Sequence, residues 1–372
     1  MCQPPATSDP ANRRDIAARF AIAHPLGAIA PLGRGLINDT FSLDAGGQRY
    51  VLQRINGAVF PAPERIMSNL RVLGAHLADL ADTGLRLPSL IATREGGDSL
   101  RDADGSLWRL MEFIPDAVTL ARIENDAQAR EVGAVLGRFH RLVASLPIER
   151  LALSLPGFHA TPEYLKRFLA VAEQSPGQGN KNMRDCLDFV LSRQGLADVL
   201  EAALKAGTIP RRVTHGDPKL DNILFARDGS HALALIDLDT VQPGLIQHDL
   251  GDCLRSCCNR VGEGTQDAAG VRFDATLCAG ILAGYASETR DFLAQADIDL
   301  FYDAIRLMPF ELGLRFLTDH LEGNRYFRID EPGQNLRKAR IQFALVADIE
   351  RQEETLRALI ATCFDSGLYE SA

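Results

Sequence analysis

Two segments of the chain repeat their apolar residues every three or four positions, the period of a helix with one buried face. Over 65–80 these are Ile66, Leu70, Leu73, Leu77 and Leu80, entered through Pro61, Pro63 and Glu64. Over 127–145 they are Val132, Val135, Leu136, Phe139, Leu142 and Val143. Helical patterning also covers 12–23, 162–173, 183–206 and nearly everything from 273 onward, with a polar loop at 174–181. Extended patterning predicts strands at 28–32, 40–43, 49–55, 87–93 and 107–113, with turns at Ala45-Gly46-Gly47 and Asp104-Gly105. In the later, helical half only 212–239 reads as strand. The pattern is α+β: a small β-rich part, 1–113, and a larger helical part, 114–372, joined through 111–115. A ligand is expected in the cleft between two such lobes.

Composition narrows the partners. Hydrophobic residues are 46% and charged residues 24% of 372, an ordinary globular balance. The net charge of −9 argues against a dedicated nucleic-acid binder, which would show a basic face. No run of 18 apolar residues and no signal-peptide pattern is present, so a cytoplasmic protein without a membrane partner is expected. The seven cysteines are an odd set without a framework. Cys253, Cys257 and Cys258 lack a second ligand pair at zinc spacing and read as packing thiols.

The chemistry concentrates in His215-Gly216-Asp217-Pro218-Lys219-Leu220-Asp221-Asn222, followed by Ile223-Leu224-Phe225, a turn at Asp228-Gly229, and Ala234-Leu235-Ile236-Asp237. A carboxylate, an amide five residues on and a second carboxylate after a hairpin are the parts phosphoryl transfer uses. One carboxylate orients or deprotonates the attacking hydroxyl; an amide oxygen and another carboxylate hold Mg²⁺ against nucleotide phosphates. A hairpin would set Asn222 and Asp237 on neighbouring strand ends.

His215-Gly216-Asp217 with Asn222, then Ile236-Asp237 and Asp249, resembles the aminoglycoside phosphotransferase and choline kinase superfamily, which has a two-lobed protein-kinase-like fold. The resemblance implies ATP and Mg²⁺, with Asp217 as catalytic base and Asn222 and Asp237 as metal ligands. It gives Asp249 a bracing role under the catalytic loop. The nucleotide would lie against Gly33, Gly35 and Arg54, and against Glu112 and Ile114 in the connection between lobes. Further blocks are similar to bacterial N-acetylhexosamine 1-kinases: 50–56, 236–244, 248–252, 311–319 and 321–327. That similarity implies a small-molecule sugar substrate, held in part by Arg315 and Tyr326.

The sequence departs from the kinase pattern in the small lobe. No Lys lies between Met1 and Ala160, although kinase-like enzymes place one on the third strand for the phosphates. Arg54 is read either as its substitute or as the surface partner of an acid. Asp239 is read as a second metal ligand or a structural cap, and Lys219 as a γ-phosphate contact or a solvated loop residue. His215 is expected to fix the catalytic loop by hydrogen bonds, and His140 to be a satisfied core histidine. Rival readings change the acceptor to an aminoglycoside, choline, an amino alcohol or another sugar, or leave a silent nucleotide- or sugar-binding protein. Glu311, Asp319 and Glu322 would be the carboxylates for a cationic acceptor.

Overall fold

The alternating N-terminal segments pair into one antiparallel sheet, seen in a computed structural model that describes residues 10–33, 37–80, 83–174 and 181–365. After helix α1 (Pro10–Ala18) come β1 (Leu26–Pro31), β2 (Asp39–Ala45) and β3 (Gln48–Arg54), then α2 (Glu64–Ala78). Short strands β4 (Leu90–Ile91) and β5 (Leu100–Arg101) follow, then β6 (Leu107–Glu112). The order is β1-β2-β3-β6-β4, with β5 also on β6. Register fixes which side chains share a face. Leu52 pairs with Leu110 and Arg54 with Trp108, while Gln53 pairs with Arg109. The first face is apolar: Leu52, Trp108 and Leu110 pack with Phe41, Leu43 and with Ile16 and Phe20 from the α1 segment.

Beyond β7 (Ala117–Thr119) the chain is mostly helical: α3 (Asp126–Val143), α4 (Thr161–Glu173), α5 (Lys181–Leu191) and α6 (Val199–Lys205). Strands β8 (Arg212–Thr214), β9 (Ile223–Ala226), β10 (Ala232–Leu235) and β11 (Gln242–Gly244) interrupt it. Then follow α7 (Ile246–Cys257), α8 (Ala275–Thr289), α9 (Gln295–Asp299), α10 (Phe301–Leu321), α11 (Gln334–Arg351) and α12 (Glu353–Phe364). The run 183–206, read as one helical stretch, is split by a 3₁₀ turn at Gln194–Asp198 around Gly195. Among the described residues no helix is long and apolar enough to cross a membrane. Cys253, Cys257, Cys258 and Cys278 are buried free thiols.

The tightest helix pair is α3 against α8. A Cβ on Gly133 would lie 1.9 Å from the Ile281 carbonyl oxygen, and one on Gly284 1.9 Å from that of Arg130. Only glycine allows this backbone approach. It matters for function because α3 ends in His140 and α8 carries Tyr285, and the two rings meet edge to face. Gly133→Ala is therefore expected to destabilise the fold by about 3 kcal/mol or more, through overpacking against backbone that cannot yield. A thermal melt checks this; an unchanged melting temperature would contradict the packing account.

Candidate active site

The β9–β10 hairpin aligns Ile223 with Leu235, and the Ile236 N–H donates to the Asn222 carbonyl at 2.9 Å. Asn222 and Asp237 thus emerge side by side, as the turn at Asp228-Gly229 predicts. Asp237 holds a left-handed backbone, φ 63°. Such a conformation in a non-glycine residue costs about 1–3 kcal/mol and is characteristic of functional positions. Asn222 Nδ2 donates to the Asp217 carbonyl at 2.8 Å and to its Oδ2 at 3.2 Å. Lys219 Nζ lies 2.5 Å from the same Oδ2, so Lys219 is the partner of Asp217 rather than a freely solvated lysine. Burial alone would lower the Lys219 ammonium, yet Asp217 and Asp237 outweigh it and hold it above its ordinary value.

Asp249, on α7, braces the loop from beneath. Its carboxylate accepts the His215 N–H at 2.7 Å and the Gly216 N–H at 2.8 Å. His140 Nε2 bonds the same carboxylate at 2.8 Å, and His140 Nδ1 meets the Tyr285 hydroxyl at 2.8 Å. Burial works against the Asp249 charge, but these hydrogen bonds and the neighbouring histidines hold it below the usual range. His140 is a satisfied core histidine, and its partner is the brace itself. Burial holds the His215 pKa below its ordinary value; its Nε2 faces the Ile236 carbonyl at 3.1 Å and its Nδ1 accepts the Asp217 N–H at 3.3 Å. Both ring nitrogens are committed to the loop backbone. Gly216 has φ 88°, and a Cβ there would sit 2.8 Å from Thr240 Cβ. The middle residue of this loop has to be glycine.

The carboxylates crowd one another. Burial in the cleft wall, with Asp239 and then Asp217 nearby, pushes the Asp237 carboxyl up to about 7, against the opposing charges of Lys219 and Arg109. The Asp237 residue as a whole is nonetheless exposed. An excess of negative charge around one accessible carboxylate suits a divalent cation. Among the described residues no three His, Cys, Asp or Glu side chains form a ready metal cage. The donor set, one amide oxygen and one carboxylate, fits Mg²⁺, which takes few protein ligands and completes its shell with phosphate and water.

A second cluster adjoins the loop on the helical side. His159, with φ 59°, directs Nε2 to the Gly216 carbonyl and Nδ1 to Glu311 Oε1, both at 2.9 Å. Both partners are acceptors, so the ring carries both protons. Burial opposes that charge, but Glu311 outweighs it and raises the His159 pKa. Glu311, buried on α10, also accepts Thr161 Oγ1 at 2.6 Å and is held at about 2: burial resists, and His159 and Arg315 prevail. One turn on, Arg315 lies within an aromatic cage. Its guanidinium carbon is 5.6 Å from the Phe158 ring, 5.2 Å from Tyr164, 5.8 Å from Tyr326 and 5.6 Å from Phe327. Asp319 shapes the rim by accepting the backbone N–H groups of Arg325, Tyr326 and Phe327 at 2.8, 2.8 and 3.0 Å. Tyr326 is 46% exposed.

The small-lobe expectations divide. Arg54 is ion-paired with Asp39 at 2.5 Å, on the sheet face of Leu52 and Trp108. That pairing is the contact one of its two readings names. Asp239 is paired with buried Arg109 at 2.5 Å through Oδ1 and accepts Asn38 Nδ2 at 2.7 Å through Oδ2. Gly33 has φ 72° with open space around it; Gly35 lies outside the described residues. Glu112 ends β6 exposed and Ile114 is buried after it. Arg109, His159 and Tyr164 were not legible as site residues. A lone Arg in an apolar strand, or a His after Pro-Gly-Phe, carries no spacing signal.

Residues 28–292 match the phosphotransferase enzyme family, APH. The chain belongs to that family. Among the phosphotransferase relatives, a homoserine kinase of Rhodopseudomonas palustris (strain ATCC BAA-98 / CGA009) is 26% identical over 66% of this chain. The match spans 65% of that relative's length. Among solved structures, a microcompartment-associated aminopropanol kinase superposes with TM-score 0.66 at 16% identity, covering 94% of this chain and 99% of that one. A spectinomycin phosphotransferase in complex with ADP and spectinomycin gives 0.57 at 15% identity, covering 92% and 98%. The fold is the two-lobed one these phosphotransferases share, an antiparallel N-terminal sheet beside a mostly helical lobe.

Proposed function

We propose that the chain transfers the γ-phosphoryl group of ATP, with Mg²⁺, to the anomeric hydroxyl of an N-acetylhexosamine (GlcNAc or GalNAc), giving the sugar 1-phosphate. Asp217 orients the hydroxyl and takes its proton. Asn222 and Asp237 would hold the metal, which when bound neutralises charge on the phosphates. Asp249 keeps the loop in register. The anomeric hydroxyl is more acidic than an ordinary alcohol, so positioning beside one carboxylate suffices.

The observation that carries the acceptor is the Arg315 cage beside the loop. A guanidinium donates to hydroxyl and acetamido oxygens, and exposed Tyr326 offers a face for the apolar side of a pyranose. Cationic acceptors fit this surface poorly. Glu311 is engaged by His159 and Thr161, Asp319 by three backbone N–H groups, and Glu322 by Arg167 at 2.5 Å. Homoserine, the substrate in the name of the curated relative, could give its carboxylate to Arg315. Its ammonium would then meet none of these three carboxylates uncommitted.

Arg315→Leu and Tyr326→Ala are expected to raise the hexosamine KM about tenfold or more while the ATP KM stays near wild type, the mark of lost acceptor binding. Two-substrate kinetics with parallel melts checks this. A lowered melting temperature with both constants disturbed would make the cage core rather than pocket.

A further inference from the structure

The chain has no small-lobe lysine, and Arg54 is held by Asp39 on the sheet face opposite Gln53 and Arg109. Arg109 is another matter. It is 1% exposed, and its Nε and Nη2 donate to Gln53 Oε1 at 2.9 and 2.6 Å. Its Nη2 also lies 2.5 Å from Asp239 Oδ1. Gln53 stands on the third strand, so the guanidinium is anchored where a kinase-like phosphate lysine would originate. Its field reaches Asp237. Its Nη1 is buried and finds no hydrogen-bond partner among the described residues.

Asp239 joins the lobes at this point. It follows the candidate metal ligand Asp237 by two residues, in a turn whose Thr240 hydroxyl donates to the His215 carbonyl at 2.8 Å. Its other oxygen takes Asn38 Nδ2 at 2.7 Å, and Asn38 Oδ1 takes the Asn56 N–H at 2.9 Å. Asn38 stands just before β2. One buried carboxylate therefore ties the metal-bearing turn to two places on the N-terminal sheet. A desolvated Arg–Asp pair is a weak source of net stability, but losing one partner leaves the other charge buried and unpaired.

Resting on the phosphotransfer reading, we propose that Arg109, with Gln53, Asp239 and Asn38, is the small-lobe latch that stands in for the missing lysine and sets how tightly the nucleotide's triphosphate is held. Arg109 is a positioning residue in this scheme. It fixes Asp239, Asp239 fixes Asn38, and Asn38 holds the start of β2 in place. The positive charge behind Asp237 limits the repulsion a triphosphate meets on entry.

Calorimetric titration of MgATP into the full chain, without acceptor, tests this. Asn38→Ala removes the Asp239 link to the start of β2 together with the bond to the Asn56 N–H; Arg109→Lys keeps the charge but loses the two-sided grip on Gln53 and Asp239. Each is expected to weaken MgATP about tenfold or more. Asn38→Ala, which loses two hydrogen bonds, should lower the melting temperature by only a few degrees, and neither variant should change the acceptor KM. Wild-type MgATP affinity in both variants would overturn the latch while leaving phosphotransfer intact. Equal losses for nucleotide and acceptor, with lowered melting temperatures, would overturn it too, because a plain structural strut behaves that way. A wild-type chain that takes up no MgATP would overturn the phosphotransfer reading itself, and the latch with it.

Discussion

Asp217→Asn is expected to lower kcat by about 10²- to 10⁴-fold while MgATP still binds and the fold persists. The side chain sits where Lys219 and Asn222 converge on one carboxylate oxygen. Asn keeps the shape and can still accept from Lys219 through its amide oxygen, so the loop geometry should survive. It cannot take a proton from the acceptor. His215 cannot substitute, since its two nitrogens are held by the Ile236 carbonyl and the Asp217 N–H. Single-turnover rates beside a nucleotide titration check the result. Turnover within a factor of a few of wild type would remove Asp217 from the role of base.

Asp237→Asn should be comparably severe by a different route. The substitution keeps the left-handed backbone, which Asn tolerates, and removes only the charge. The Mg²⁺ concentration for half-maximal rate is expected to rise about 100-fold or more, with part of the rate recovered at high Mg²⁺. Asn222→Ala should shift it less, because a neutral amide gives up less to a divalent ion than a carboxylate does. Magnesium titrations at saturating ATP read both. Identical half-saturation in wild type and variants would show that neither residue is a ligand.

How far the sequence reveals this molecule depends on whether a feature is local. The stripes of α2 and α3 are legible because each helix buries one face, and Val132, Val135, Leu136 and Phe139 are buried as their spacing implies. Helices α8 and α10 are apolar on several sides because they are packed all round, so their facing was invisible. Strands β7 and β11 are three residues long, and β7 pairs with β9 about a hundred residues later. The same division runs through the site. His215 to Asn222 and Asp237 lie within one loop and one hairpin, so their spacing is meaningful before any fold is known. Arg109 and His159 acquire their partners Asp239 and Glu311 only when distant elements pack. Strand periodicity put Gln53 and Arg54 on opposite faces but could not say which face meets the helical lobe. That took the contact between Arg109 and Asp239.

The central claim joins a phosphoryl-transfer loop to a sugar-selecting cage, and one measurement meets it head on. The full chain is incubated with MgATP and a panel of acceptors: N-acetylglucosamine, N-acetylgalactosamine, other hexoses, homoserine, an amino alcohol, choline and an aminoglycoside. Phosphorus and proton NMR of the products identify the acceptor used and the oxygen modified. The account predicts an N-acetylhexosamine phosphorylated at its anomeric oxygen, with the cationic acceptors turned over far more slowly. A phosphorylated amino alcohol, homoserine or aminoglycoside as the main product, with the hexosamines untouched, would contradict it.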